Sequence, residues 1–210
     1  MRMVAGASLV LALPLIAPAQ GLCADSEYSA LYAFGDSLSD NGNLFAQTWN
    51  PPDPYWEGRF SDGPVWVEQL AAVLHLHEDR LKNFAVGGAT TTDVNTSQAQ
   101  PLVVAAGGQL PGDALYVYWA GANDLLSLVS NPTGNPFFIV LNAMSKTSAA
   151  LSSLAGAGAR NIVVVNLPDL SKISLVLALN DPAMISAIRD EELLTIACES
   201  DAEFLLFDLP

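Results

Sequence analysis

Asn161-Ile162-Val163-Val164-Val165-Asn166 is the stretch that decides the fold. Its interior is entirely apolar and β-branched, with no alternation of apolar and polar positions. A half-exposed strand alternates, so this run predicts a strand covered on both faces, the condition of a parallel sheet between helices. Working outward, Asn135-Pro136 upstream pairs an N-cap residue with a proline at the first helical position, and predicts a helix to about Gly156. Downstream, Asp181-Pro182 repeats that signal before a helix ending near Cys198, and Glu203 to Phe207 reads as a further strand. Toward the N-terminus, strands are expected at Ala30–Phe34, Lys82–Val86 and Ala114–Trp119. Pro64, at an ideal first helical position, opens a helix to about His77 on the stripe Val65, Val67, Leu70, Ala71 and Leu74. Residues 41–62 lack periodicity and read as a long loop; residues 90–110 are ambiguous, with a short helix at most.

Strand and helix thus alternate four times. The reading is α/β: a single flavodoxin-like, three-layer α/β/α domain with a parallel sheet, running from residue 26 to 210. Repeats, charge runs and low-complexity linkers are absent from the sequence.

The 210 residues carry 8 basic and 22 acidic side chains, a net charge of −14, and 51% are apolar. A surface so acidic repels phosphate backbones and anionic headgroups, which argues against a nucleic-acid partner. Cys23 and Cys198 are too few for a disulfide framework or a cysteine-rich zinc site, though one bridge between them is open. Arg2 followed by the apolar run Val4 to Ile16 reads as an export signal over residues 1–24. That run is shorter than the roughly 20 residues a spanning helix needs. Ala17-Pro18-Ala19 and Leu22-Cys23-Ala24 are the candidate cleavage sites, and Leu22 makes Cys23 a poor lipoprotein anchor. The expectation is a secreted or periplasmic monomer with no stable membrane insertion.

In open parallel sheets, ligands bind outside the carboxyl ends of the strands. Phe34-Gly35-Asp36-Ser37-Leu38-Ser39-Asp40 follows the first strand, Gly87-Gly88 the second, Gly121-Ala122-Asn123-Asp124 the third and Pro168-Asp169 the fourth. These turns share one edge. A hydroxyl, mobile backbone amides and a carboxamide can meet there, the set that acyl transfer needs: a nucleophile and donors for an oxyanion.

Those residues resemble a known family. Phe34 to Asn43 is similar to the first block of the GDSL, or SGNH, serine esterases and lipases; Asn83 to Ala89 resembles the second and Gly121 to Asp124 the third. Gly58-Arg59-Phe60-Ser61-Asp62-Gly63-Pro64-Val65-Trp66 is similar to the segment before the first long helix in the lipase-like branch. The resemblance implies the SGNH hydrolase fold and cleavage of carboxylic acyl esters, small-molecule or lipid, through an acyl-serine, without a cofactor. It makes Ser37 the nucleophile, and it makes the Ser37 N–H, Gly88 and Asn123 the oxyanion hole. Gly88 is taken over Gly87 because it lies five residues after Asn83. Asp36 and Asp40 are expected as acceptors that fix the loop. Trp49, Tyr55, Trp56, Phe60 and Trp66 would line an acyl or sugar site or pack on one another, with Trp66 in the core.

One block is missing. The family's last motif, Asp-x-x-His, supplies acid and general base, and the sequence contains none. Its two histidines, His75 and His77, close a helix that runs away from the catalytic edge, about 1.5 Å per residue. A base must lie within about 3 Å of the serine oxygen, so they are expected at a surface helix end, with a His-x-His metal site the weak remainder. Two expectations follow: a C-terminally incomplete sequence, inactive or very weak by itself, or a ligand-binding relative without hydrolytic power. The expected Glu203–Phe207 strand, ending three residues before the last one, favours the first. A nucleophile elbow of the Gly-x-Ser-x-Gly type is disfavoured, since Ser39 occupies the second glycine's position.

Overall fold

The computed structural model describes residues 26–130, 135–177, 182 and 203–207. The expected export signal, both cysteines and all of the expected Asp181–Cys198 helix but Pro182 lie outside these residues.

Five parallel strands form one sheet: β1 Leu31–Gly35, β2 Leu81–Asn83, β3 Leu115–Trp119, β4 Asn161–Val165 and β5 Glu203–Phe207, in the spatial order β2-β1-β3-β4-β5. Leu31 sits opposite Leu81 on one side and Leu115 on the other, and Asn161 opposite Glu203, so the strands start level. All the turns that leave the strands therefore emerge on one edge.

Side-chain alternation divides the core into two layers. Phe34, Tyr116, Tyr118, Ile162 and Val164 face one way, against Leu151 and Leu154 of α6 (Pro136–Gly156). Leu31, Ala33, Leu115 and Val117 face the other, against Val67 and Ala71 of α2 (Trp66–Val73). This is the expected α/β/α sandwich.

The Asn135-Pro136 signal holds: the Asn135 side chain accepts from the Phe137 N–H at 3.0 Å, and the helix runs to Gly156. By length and composition α6 is apolar enough to cross a membrane, whereas the sequence reading expects no second stretch of that length. Its buried stripe, Val140, Ala143, Thr147, Ala150, Leu151 and Leu154, packs it against the protein's own core.

Several boundaries differ from expectation. Pro64 precedes the helix rather than opening it: Val65 is extended, and its N–H is taken by the Glu68 carboxylate at 2.9 Å. Glu68 is held in turn by Arg59 at 2.7 Å, so an ion pair sets where α2 starts. The helix stops at Val73, not His77. His75 lies in the left-handed region at φ +54, while the Leu76 N–H reaches back to the Ala71 carbonyl at 2.9 Å, a Schellman closure. The long loop contains a short helix, α1 Asn43–Thr48, and a 3₁₀ turn, Trp56–Gly58. The ambiguous 90–110 segment is helical: α3 Thr91–Asp93, a π turn Val94–Ala99 and α4 Gln100–Ala105. Gly121 leads straight into α5, Ala122–Ser130, where only a turn was read. A 3₁₀ turn, Leu170–Lys172, and α7 (Ser174–Leu177) follow β4.

Candidate active site

Ser37 stands two residues beyond the end of β1, Gly88 in the turn after β2, and Asn123 in the first turn of α5 after β3. Ser37 and Asn123 are half-buried and Gly88 is exposed. Asp36, Ser39, Asp40, Ala89 and Asp124, which hold them, are all buried. The three candidate site residues that reach solvent are thus mounted on neighbours that do not.

The frame is a set of bonds between turns. The Asp40 carboxylate accepts from the N–H groups of Gly42 (2.8 Å), Asn43 (2.6 Å) and Leu44 (3.1 Å) in its own loop. It also accepts from Gly87 across the gap at 2.8 Å, tying the first turn to the second. Asn83 Nδ2 donates to the Ser39 carbonyl at 2.6 Å, and Asn43 Nδ2 donates to Asn83 and Ala85. Asn123 Nδ2 donates to the Ala89 carbonyl at 2.9 Å and lies 3.4 Å from Asp36 Oδ2. The Asn123 carboxamide therefore touches the immediate neighbours of both Ser37 and Gly88.

The two glycines of the second turn do different work. The N–H of Gly87 is spent on Asp40, and a Cβ at that residue would come within 2.5 Å of Phe60 and 2.8 Å of Leu44. Gly87 is a packing glycine. Gly88 has φ +81, which a side chain tolerates poorly, and open space where a Cβ would point. Among the described residues, the N–H groups of Gly88 and Ser37 and the Ser37 hydroxyl have no hydrogen-bond partner.

Asp36 and Asp40 act as the loop acceptors expected of them. Asp36 Oδ1 takes the Leu38 N–H at 3.1 Å, and its backbone carbonyl takes those of Ser39 and Asp40 at 3.0 Å. Burial pushes the Asp36 carboxyl up to about 6; the nearby Asp124 charge adds to this and the Leu38 bond opposes it. Burial also raises Asp124, which accepts from the Thr91 N–H (2.8 Å) and hydroxyl (2.7 Å).

The sequence reading missed Gln98. It lies in the π turn, buried, and brackets Gly35: its Oε1 accepts from the Gly35 N–H at 3.0 Å and its Nε2 donates to the Gly35 carbonyl at 2.9 Å. One carboxamide thus partners the Gly35 N–H and joins the Val86 N–H (3.1 Å) on the Gly35 carbonyl, just where β1 turns toward Ser37. A glutamine in a segment without clear periodicity carries no signal for this; only the packed helix does.

The aromatic loop mostly packs on itself. Phe45 meets Trp49 edge-on at 5.3 Å, Tyr55 leans on Phe60 at 5.7 Å, and Arg59 stacks over Trp56 at 4.8 Å. Trp66 joins the α2-side core, meets Trp119 edge-on at 5.7 Å and donates its indole N–H to Ser39 Oγ at 2.9 Å. Asp169, expected among the edge residues, caps the Leu170–Lys172 turn through the Ser171 N–H at 3.1 Å.

His75 and His77 sit on the other edge, in the connection entering the start of β2, whereas Ser37 follows the end of β1. The His77 ring is exposed and paired with Asp79 at 2.8 Å. Among the described residues no group of three or more His, Cys, Asp or Glu is placed to hold a metal.

Residues 31–201 match the family described as GDSL-like Lipase/Acylhydrolase, and the chain belongs to it. It is 34% identical over 160 residues to a phosphatidylcholine-sterol acyltransferase of Aeromonas hydrophila, covering 69% of this chain and 46% of that one. It is 33% identical over 158 residues to a thermolabile hemolysin of Vibrio parahaemolyticus, covering 70% and 35%. An acetylesterase of Thermothelomyces thermophilus is 29% identical over 177 residues, covering 72% and 57%. The chain therefore spans about half the length, or less, of the curated relatives it matches.

Proposed function

We propose that this chain carries the nucleophile and oxyanion hole of an exported serine hydrolase that cleaves carboxylic acyl esters. Ser37 attacks the ester carbonyl, the alcohol departs, and water later releases the acyl group from the serine oxygen. The negative charge that develops on the carbonyl oxygen is received by the N–H groups of Ser37 and Gly88 and by Asn123 Nδ2. Of the two Nδ2 hydrogens, one is committed to Ala89 at 2.9 Å and fixes the plane of the amide. The other makes only a 3.4 Å contact with Asp36 and is the one an oxyanion takes.

The observation that carries this reading is the Asn123 carboxamide bridging the flanks of Ser37 and Gly88. The relatives' names, an acyltransferase and an acetylesterase, support an acyl ester as substrate. Residues 1–24 support export. The Ser37 proton needs an acceptor, which an Asp-x-x-His segment outside these 210 residues would supply.

The placement of both histidines on the far edge favours a second reading for this sequence alone, ester binding without turnover. The test is hydrolysis of p-nitrophenyl acetate by the complete gene product and its Ser37→Ala variant. The account expects hydrolysis that Ser37→Ala abolishes with the fold intact. Binding of the ester without hydrolysis supports the second reading, and activity that survives Ser37→Ala overturns the nucleophile.

A further inference from the structure

Asp36 immediately precedes Ser37, and its carboxyl contacts the amide that the oxyanion needs: Oδ2 lies 3.4 Å from Asn123 Nδ2. The other oxygen accepts the Leu38 N–H at 3.1 Å. Only 2% of the residue is exposed, and among the described residues it joins no ion pair. The groups that face it bring no positive charge. On α5 stands the buried Asp124, and on β3 the Tyr118 hydroxyl. In its own loop stands Asp40, whose carboxylate is spent on the N–H groups of Gly42, Asn43, Leu44 and Gly87. The turn after β2 brings Gly87, Gly88 and Ala89, none of them titratable.

An ionised carboxyl in this place opposes charge developing at the ester oxygen in two ways. It repels that charge through a buried interior that screens weakly. It also accepts the free Asn123 hydrogen more strongly than a neutral acid does. The 3.4 Å separation is long against the roughly 2.9 Å or less of a bond to a carboxylate, and suits a neutral carboxyl that leaves this hydrogen available. Burial favours that neutral form, because an isolated charge is costly where no cation compensates it.

We infer that Asp36 is a positioning residue for the oxyanion donor: neutral, it leaves the second Asn123 hydrogen to the reacting carbonyl, and ionised, it captures that hydrogen and weakens the site. It acts through Asn123 and does not touch the ester. The inference rests on the ester-hydrolase reading and gives that site a pH control separate from its general base.

The test compares wild type with Asp36→Asn in the complete gene product. The variant keeps an acceptor for the Leu38 N–H and puts a neutral NH₂ where the anionic oxygen would stand. The ratio of variant to wild-type kcat/KM for p-nitrophenyl acetate cancels the titration of the general base they share. That ratio should rise about tenfold or more between pH 5 and pH 8. In NMR spectra of the wild type, the Asn123 side-chain amide should titrate over the same interval, and in the variant it should not. A carboxyl with a merely structural role would lower the ratio equally at every pH. A ratio that is flat or falls with pH, or an Asn123 amide indifferent to pH in the folded wild type, overturns the positioning role. If the variant does not fold, the wild-type amide titration decides by itself. Activity that survives Ser37→Ala overturns the hydrolase reading, whereas Ser37-dependent hydrolysis with a flat ratio removes Asp36 alone.

Discussion

The Asn123 carboxamide donates to the Ala89 carbonyl at 2.9 Å, joining the start of α5 to the turn after β2. With the Asp40–Gly87 bond at 2.8 Å, this makes the turns after β1, β2 and β3 one hydrogen-bonded unit. Oxyanion donors stabilise a transition state only if they are held in place before charge develops. The buried frame supplies that rigidity, and the site depends on it more than on any local propensity.

Asp36 gives the unit a pH signature. The folded carboxyl keeps its proton up to about 6, whereas an unfolded one releases it near the ordinary 3.8. Between these values the folded state binds more protons, so the Asp36 contribution to stability falls as pH rises. The loss is on the order of 3 kcal/mol. Urea unfolding of wild type and Asp36→Asn at pH 4 and pH 7 should show the variant gaining on wild type by that order at the higher pH. Equal differences at the two values would contradict the assignment.

Gln98→Leu should leave the buried Gly35 N–H without a partner, while the Gly35 carbonyl keeps the Val86 N–H at 3.1 Å. The expected loss is about 1–3 kcal/mol in denaturant unfolding, with ester hydrolysis by the complete gene product falling further than stability explains, because Ser37 is two residues on. Gln98→Glu keeps the acceptor for the Gly35 N–H but sets its second oxygen against the Gly35 carbonyl, so it should be tolerated where the acid is protonated and lose stability as pH rises. A neutral Gln98→Leu would mean the bracket around Gly35 does not hold the turn.

His75→Gly should stabilise the fold. The residue closes α2 at φ +54, where an L side chain is disfavoured and glycine is not. A gain of about 0.5–1 kcal/mol is expected in thermal or urea unfolding, without effect on the Ser37 edge. Loss of activity in this variant would contradict the placement of His75 on the opposite edge.

The strand plan was legible because continuous runs such as Ile162–Val165 have few alternatives, and the Asn135-Pro136 cap fixed α6 to the residue. The motif turns were legible through their resemblance to the blocks of the family, to which the chain belongs. What failed was set by tertiary partners: Pro64 offered a helix start, but the Arg59–Glu68 pair fixed it two residues later at Trp66. Segment 90–110 has no clean 3.6 period because a π turn interrupts it, and that interruption places Gln98 against Gly35. Gly121-Ala122-Asn123-Asp124 reads as a turn until Leu125 and Leu128 are seen packing beneath it in a helix.

The central claim is that Ser37 attacks while Asn123 receives the charge. Its most direct test is the rate at which a fluorophosphonate ester labels the complete gene product, with the modified residue found by mass spectrometry. A single adduct on Ser37 is expected, with a rate that falls about 100-fold or more in Asn123→Ala. An adduct elsewhere, or a rate indifferent to Asn123, would contradict it.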